Sequence, residues 1–362
     1  MKKIYSLSLL LFGMLAFSSC SDDNDNPYAT ETSITIVKSD LTFDAAASEG
    51  SVVYTSTGNI VATTSASWCK AEMKGDSVVV SVAQNNSRNG RAASVTLHNG
   101  ADSVSLAVLQ QGVVTEMETT SVSLSDDNAK SLRYGFDCSI DLEVTSCPDW
   151  ATARIENDSL YIDIAENTTG HLRRGYIVYA SESYVDSIPV FQADFDKDIA
   201  GKYTICYQKS EDDPSEKTMR NKTLTKTSLY VLSTLSLPLT YDSENGALKV
   251  QTGSYIGTST KSGATYYVYL AFGMGSYWTS YYSEYSVSAE LNYNDVDGTY
   301  AEFKGYVAGY EFTNFLFRRF TEQSFSEDAD AGSNVYTMYH PMIKRAPTTT
   351  TSTGVSDYIT RK

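Results

Sequence analysis

Basic residues are scarce in this chain: 28 lysines and arginines stand against 44 acidic residues, a formal charge of −16. Nucleic acid and anionic lipid both call for clustered positive charge, so neither is expected as a main partner. Only three histidines are present, His98, His171 and His340. Catalysis that sets Ser or Cys beside an oriented histidine therefore has little to draw on. Gly-x-Ser-x-Gly, His-Glu-x-x-His, phosphate-loop and dinucleotide-binding patterns are missing as well. No cofactor or metal is expected. Asp328-Ala329-Asp330-Ala331-Gly332-Ser333-Asn334 spaces oxygens as calcium loops do, but it lacks the later bidentate glutamate and reads as an acidic turn. Paired carboxylates remain open, since glycoside hydrolysis needs only two. The one large unrepeated region, about 150 residues, is small for a glycosidase, so the chain is not expected to be an enzyme.

Long apolar runs are also lacking. The longest, Leu7 to Phe17, follows Lys2 and Lys3 and is too short to span a bilayer, so residues 1–19 read as a secretory leader. Ser18-Ser19-Cys20 resembles a bacterial lipoprotein lipobox, departing from it at Phe17, where leucine is commonest. The resemblance implies that Cys20 is acylated and becomes the mature N-terminus. An ordinary leader with an incidental Cys20 is the competing reading. Residues 20–33, with Ser21-Asp22-Asp23-Asn24-Asp25-Asn26-Pro27, have nothing to bury and form an acidic tether. That run resembles the one following the lipid cysteine in surface-exported lipoproteins of the Bacteroidetes. The expected location is the outer membrane, lipid-anchored, at the cell surface in preference to the periplasmic face.

What the chain does have is an internal repeat. Trp68, Asn85, Arg91 and Gln110 recur as Trp150, Asn167, Arg173 and Gln192, each at an offset of 82 residues. Within both copies, short β-rich runs alternate with turn signals such as Lys74-Gly75-Asp76 and Asn99-Gly100-Ala101, the pattern of a β-sandwich. Residues 34–113 and 114–195 are therefore expected to be two sandwiches, each closing its own core like a bead on a string. The recurring residues are read as fold determinants: tryptophan as core, asparagine as turn acceptor and donor, arginine over the sheet or against a carboxylate. Asp-Ser pairs at Asp76, Asp102, Asp158 and Asp186 resemble O-glycosylation acceptors of Bacteroidetes exported proteins, and hairpin chemistry explains them equally well.

Those recurring residues, with the Asn-to-Arg turns and the closing Val108-Leu109-Gln110 and Val190-Phe191-Gln192, resemble the BACON family. Copy two departs from the pattern by lacking the glycine that follows in copy one, Gly112. The resemblance implies immunoglobulin-like sandwiches in a secreted glycan-handling protein, with the modules as spacers or accessories.

Residues 196–346 change character and carry 18 of the 27 tyrosines. Strand-like runs separated by Glu244-Asn245-Gly246 and Asp295-Val296-Asp297-Gly298 predict one antiparallel β-barrel or sandwich domain, faintly similar to calycin-like domains. Residues 347–362 are expected to be a flexible tail. The fold class is thus all-β, two tandem immunoglobulin-like sandwiches followed by an antiparallel domain. Tyr277, Trp278, Tyr281, Tyr282 and Tyr285 form a glycine-flanked aromatic cluster, the candidate carbohydrate platform, with aromatic packing as the rival reading. Cys138 and Cys147 share one copy and are the expected disulfide in an exported chain. The favoured function is non-catalytic glycan binding or presentation, with polysaccharide or glycoprotein glycan as partner. The alternatives are a structural or protein-binding surface lipoprotein that engages other surface proteins, and a carboxylate-dependent glycosidase.

Overall fold

The computed structural model describes residues 33–100, 102–211, 213–224, 230–232, 235–274, 277–278 and 284–345. The expectations for the leader, Cys20, the tether and the tail lie outside them, save Ser33. The chain divides into two compact units. One holds the described residues through Thr42 together with Glu49–Val82 and Ala92–Val108; the other holds Phe43–Ser48, Ala83–Arg91 and the chain from Leu109 onward. No helix among the described residues is long and apolar enough to cross a membrane.

The first copy is built on two four-stranded sheets. One runs Ile34–Asp40, Ser48–Ser56, Ser77–Val82, Cys69–Lys74, the other Thr42–Phe43, Asp102–Gln110, Arg91–Asn99, Val61–Thr64. Alternation explains the core: in Ser77–Val82 every second residue, Val78, Val80 and Val82, is buried, and Val52, Val95, Leu97 and Val108 join them. The second copy repeats the plan. Its sheets run Val122–Leu124, Tyr184–Gln192, Arg173–Ser181, Glu143–Ser146 and Ala151–Ile155, Ser159–Ile164, Lys130–Cys138, Thr115–Met117. Arg173–Ser181 and Tyr184–Gln192 each begin 82 residues after their counterparts Arg91–Asn99 and Asp102–Gln110. Val122–Leu124 pairs in parallel with the last strand, while Lys130–Cys138, Glu143–Ser146 and Ala151–Ile155 pair with their neighbours antiparallel, as do the two last strands with each other. Phe136 meets Tyr179 edge to face in its core, with ring centroids 5.4 Å apart.

The recurring residues form a buried polar clasp in both copies. Arg173 Nε donates to Gln192 Oε1 at 2.9 Å, and its Nη2 also reaches the Ala165 carbonyl. Gln192 Nε2 in turn donates to the Asp126 and Asn128 carbonyls at 2.9 and 3.2 Å. In copy one Arg91 Nε donates to Gln110 Oε1 at 2.8 Å and Nη2 to the Ala83 carbonyl at 2.6 Å, while Gln110 Nε2 donates to Ala45 and Ala46. Asn85 and Asn167 close the preceding turns, Asn85 donating to the Asn89 carbonyl and Asn167 to that of His171. Both glutamines and both asparagines are buried, so each bond replaces water that is absent.

Among the described residues the C-terminal region forms an eleven-stranded antiparallel sheet. Its main path runs Thr240–Asp242, Ala247–Gln251, Ser286–Asn294, Gly298–Lys304, Asp330–Arg345, Asn314–Phe320, Ala264–Met274, Tyr255–Lys261. Val268, Leu270 and Phe272 point to one face and pack with Phe303, Phe312, Phe315 and Phe317. This core also takes in Leu172, Phe191 and Ala193 of the second sandwich, so the second copy is not the self-contained bead expected from its length. The reason lies in side chains that only this copy has. Phe191 is buried against Gly246, where a Cβ would stand 2.4 Å from the ring; its copy-one counterpart, Leu109, is exposed. Arg174 donates to the carbonyls of Leu291, Asn245 and Gly246, and the His171 ring stacks on Tyr293 at 3.6 Å.

At the start of the C-terminal region, the single turn Phe195–Ile199 buries Asp198. Its Oδ2 accepts from the Asp194 amide at 2.9 Å, and its Oδ1 lies 3.5 Å from Lys197 Nζ but accepts no hydrogen bond. Burial raises the Asp198 pKa above the ordinary 3.8, and this outweighs the pull of the Asp194 amide and Lys197.

Two outcomes follow from these groups. Gln192→Ala strands the Arg173 guanidinium and two carbonyls, and is expected to lower stability by about 3 kcal/mol, read as a fall in the urea midpoint. For Asp198, a raised folded pKa means that its contribution to stability is complete below pH ~3.8 and is lost as pH rises through the raised value. Asp198→Asn is therefore expected to gain thermal stability over wild type as pH increases; parallel melting curves across pH would contradict this.

Candidate functional site

The aromatic cluster expected to bind sugar is only partly visible. Tyr281 and Tyr282 lie outside the described residues. Tyr277–Trp278 is a two-residue strand paired with Met274 and Gly273. Tyr285 is half-buried and packs against the C-terminal core, its amide donating to Thr252 Oγ1 at 3.0 Å. That residue serves packing. A different aromatic group, not anticipated from the sequence, lies on the other face of the same sheet. Tyr269 and Phe320 make a small second core with Phe325 and Ala329, and Tyr255, 42% exposed, stands beside Tyr269 at 5.4 Å.

Cys138 and Cys147 do not form the expected bridge. They sit on facing sheets of the second sandwich, Cys138 at the end of Lys130–Cys138 and Cys147 just after Glu143–Ser146, and each packs against apolar core. Cys138 Sγ lies 3.6 Å from Thr115 Oγ1, while burial raises the Cys147 pKa and keeps that thiol neutral. Among the Asp-Ser pairs, Ser159 is buried beneath Arg133 and Asp186 is held by Arg88. In the acidic turn, Asp330 is paired with Arg318 at 2.5 Å. Among the described residues, no three His, Cys, Asp or Glu side chains are grouped to hold a metal.

The second sandwich carries a groove of about 450 Å³ lined by Lys130, Ser131, Asp149, Trp150, Thr152 and Asp163. Trp150 is half-buried, with the Arg173 guanidinium 4.4 Å from its ring centroid, so the same arginine that serves the clasp supports the indole. Strand register builds the rest. Thr152 opposes Asp163 on one neighbour and Ser131 opposes it on the other, which sets three exposed polar side chains in a row across the sheet. Ser131 Oγ donates to Asp163 Oδ1 at 2.5 Å. The groove thus joins an indole to hydroxyl, carboxylate and ammonium groups, a set that offers a sugar apolar contact and partners for its hydroxyls. Of its residues, only Trp150 had been singled out from the sequence; the others lie up to 33 positions apart, from Lys130 to Asp163, and only register brings them together.

By fold this is an all-β protein with two immunoglobulin-like sandwiches and a larger antiparallel domain. A family model, BACON ("Putative binding domain, N-terminal"), matches residues 58–111, so the first copy carries a BACON domain. No curated protein matches the chain. Among solved structures, it is similar to an endo-fucoidan hydrolase of glycoside hydrolase family 107 at 10% identity and a TM-score of 0.23, over 44% of this chain and 28% of that one. It is also similar to a three-domain immunoglobulin fragment of titin at 7% identity and a TM-score of 0.24, over 77% and 95%.

Alkylation of the chain after unfolding without reductant is expected to label both Cys138 and Cys147. Recovery of the two residues as one cross-linked peptide would restore the bridge.

Proposed function

We propose that this chain is a non-catalytic glycan-binding or glycan-presenting lipoprotein of the cell surface. In this reading Cys20 carries the lipid, the first copy acts as spacer, and the groove beside Trp150 is the contact. The shared clasp and strand plan support taking the second copy as a further BACON domain. The C-terminal domain is read as calycin-like, on its antiparallel pairing around one core. The observation that carries the glycan reading is the groove itself: an indole with Asp149, Asp163, Lys130, Ser131 and Thr152 on one open surface. Each lost hydrogen bond in such a site weakens binding by about 1 kcal/mol, roughly fivefold to tenfold.

The test is affinity electrophoresis of the chain from Ser21 onward in gels containing polysaccharide. Retardation by at least one glycan is expected, with Asp163→Asn and Thr152→Ala each weakening it about fivefold. Trp150 is a poor probe because its truncation also disturbs the clasp. Absence of retardation on every glycan tried, or retardation indifferent to both substitutions, would count against the groove.

A further inference from the structure

Next to the groove, one step along the same sheet face, lies a second row. Arg154 opposes Tyr161 on one side and Arg133 opposes it on the other. The Tyr161 ring has the Arg154 guanidinium 4.5 Å from its centroid and that of Arg133 at 5.7 Å. Two residues along a strand span roughly 7 Å, so this row borders the Thr152, Asp163 and Ser131 row directly.

The two guanidiniums are held differently, Arg133 by a hydroxyl and Arg154 within two long ion pairs. Arg133 donates through Nε and Nη2 to Ser159 Oγ at 3.1 and 3.0 Å, and among the described residues no carboxylate lies within ion-pair distance of it. Arg154 has Glu156 at 3.5 Å and Asp163 at 3.8 Å, ion-pair distances too long for good hydrogen bonds. Both therefore keep outward N–H donors, and the ring beneath limits the freedom they lose on binding. The fold does not require them. At an offset of 82 the first copy has Ser51, Glu72 and Val79 in place of Arg133, Arg154 and Tyr161, within a sandwich of the same plan. In a chain of charge −16, general attraction of anions is not available, so an anion held here is held by local geometry.

We propose that the Arg133, Tyr161, Arg154 row binds the anionic group, carboxylate or sulfate ester, of an acidic sugar whose neighbouring unit occupies the Trp150 groove. This rests on the glycan reading above and adds the class of glycan. Arginine forks match planar carboxylate and sulfate oxygens, and Asp163 on the adjoining row accepts hydroxyl protons.

Matched polymers separate the sources: dextran against dextran sulfate for the sulfate, and methyl-esterified against free polygalacturonate for the carboxylate. The chain from Ser21 onward is expected to bind the acidic member of at least one pair tenfold or more tightly than its neutral partner, with binding weakened by added salt. Arg133→Gln with Arg154→Gln is expected to remove that preference. A second variant, Arg133→Ser, Arg154→Glu and Tyr161→Val, copies the row found in the first sandwich and guards against misfolding; it too is expected to lose the preference with its melting temperature kept. Equal binding within both pairs, or a preference untouched by both variants, overturns the acidic-sugar assignment and leaves the glycan reading standing. No retention by any of the four polymers overturns both.

Discussion

A guanidinium held by a buried glutamine is the interaction on which both sandwiches depend. Once Arg173 is taken out of water its charge must be met from inside, and Gln192 meets it while using its own amide to bind two carbonyls of the chain crossing from one sheet to the other. Half-buried Arg91 makes the same pair with Gln110, whose amide likewise binds the crossing segment. A single polar pair thus ties the last strand, the crossing segment and the preceding turn together. Hydrophobic burial alone fixes no such register, because apolar contacts are not directional. The clasp also reaches outward, since Arg173 lies under Trp150 and so connects the interior of the second sandwich to its groove.

From that common frame the copies diverge at their ends. Where copy one exposes Leu109, copy two buries Phe191 in the core of the C-terminal domain, with Arg174 satisfying three carbonyls across the junction. Separating the half-buried Arg174 from these carbonyls would leave them without their partner and would uncover Phe191. The second sandwich therefore serves as a foundation for the larger domain. Asp198 adds a charged group within the adjoining turn, and its Lys197 partner also pairs with Asp127 of the sandwich.

The features legible in the sequence are those that repeat. A constant offset exposed Trp68, Asn85, Arg91 and Gln110 with their counterparts, and alternation of valines exposed the strands, because both reflect the chain's own periodicity. The groove was not legible in that way. Asp163 meets Ser131 and Thr152 only through cross-strand register, which the run of residues along one strand does not reveal. The tyrosine cluster drew attention through density, yet Tyr285 is occupied in packing, while Tyr255 and Tyr269, less conspicuous in the sequence, share an outer face. Shared membership of one copy, the ground for expecting a Cys138–Cys147 bridge, does not fix the separation of the two thiols, and both are free.

A signal for the proposed binding face is nonetheless present in the sequence, in the differences between copies instead of their likeness. Inside the sandwich, substitution is limited by packing and by the clasp, so interior residues recur or exchange among apolar types. Outside, nothing in the fold chooses between Glu72 and Arg154 or between Val79 and Tyr161. A face that exchanges a serine, a carboxylate and a valine for two guanidiniums beside a tyrosine has changed its chemistry without changing its support. An open groove with a few hydrogen-bonding groups binds a single sugar weakly, because little surface is enclosed to offset the loss of freedom on association. On the proposed reading, a lipid anchor compensates by holding many chains in one plane. A polysaccharide bearing the same group at every unit then meets many sites at once, and weak contacts sum to firm attachment.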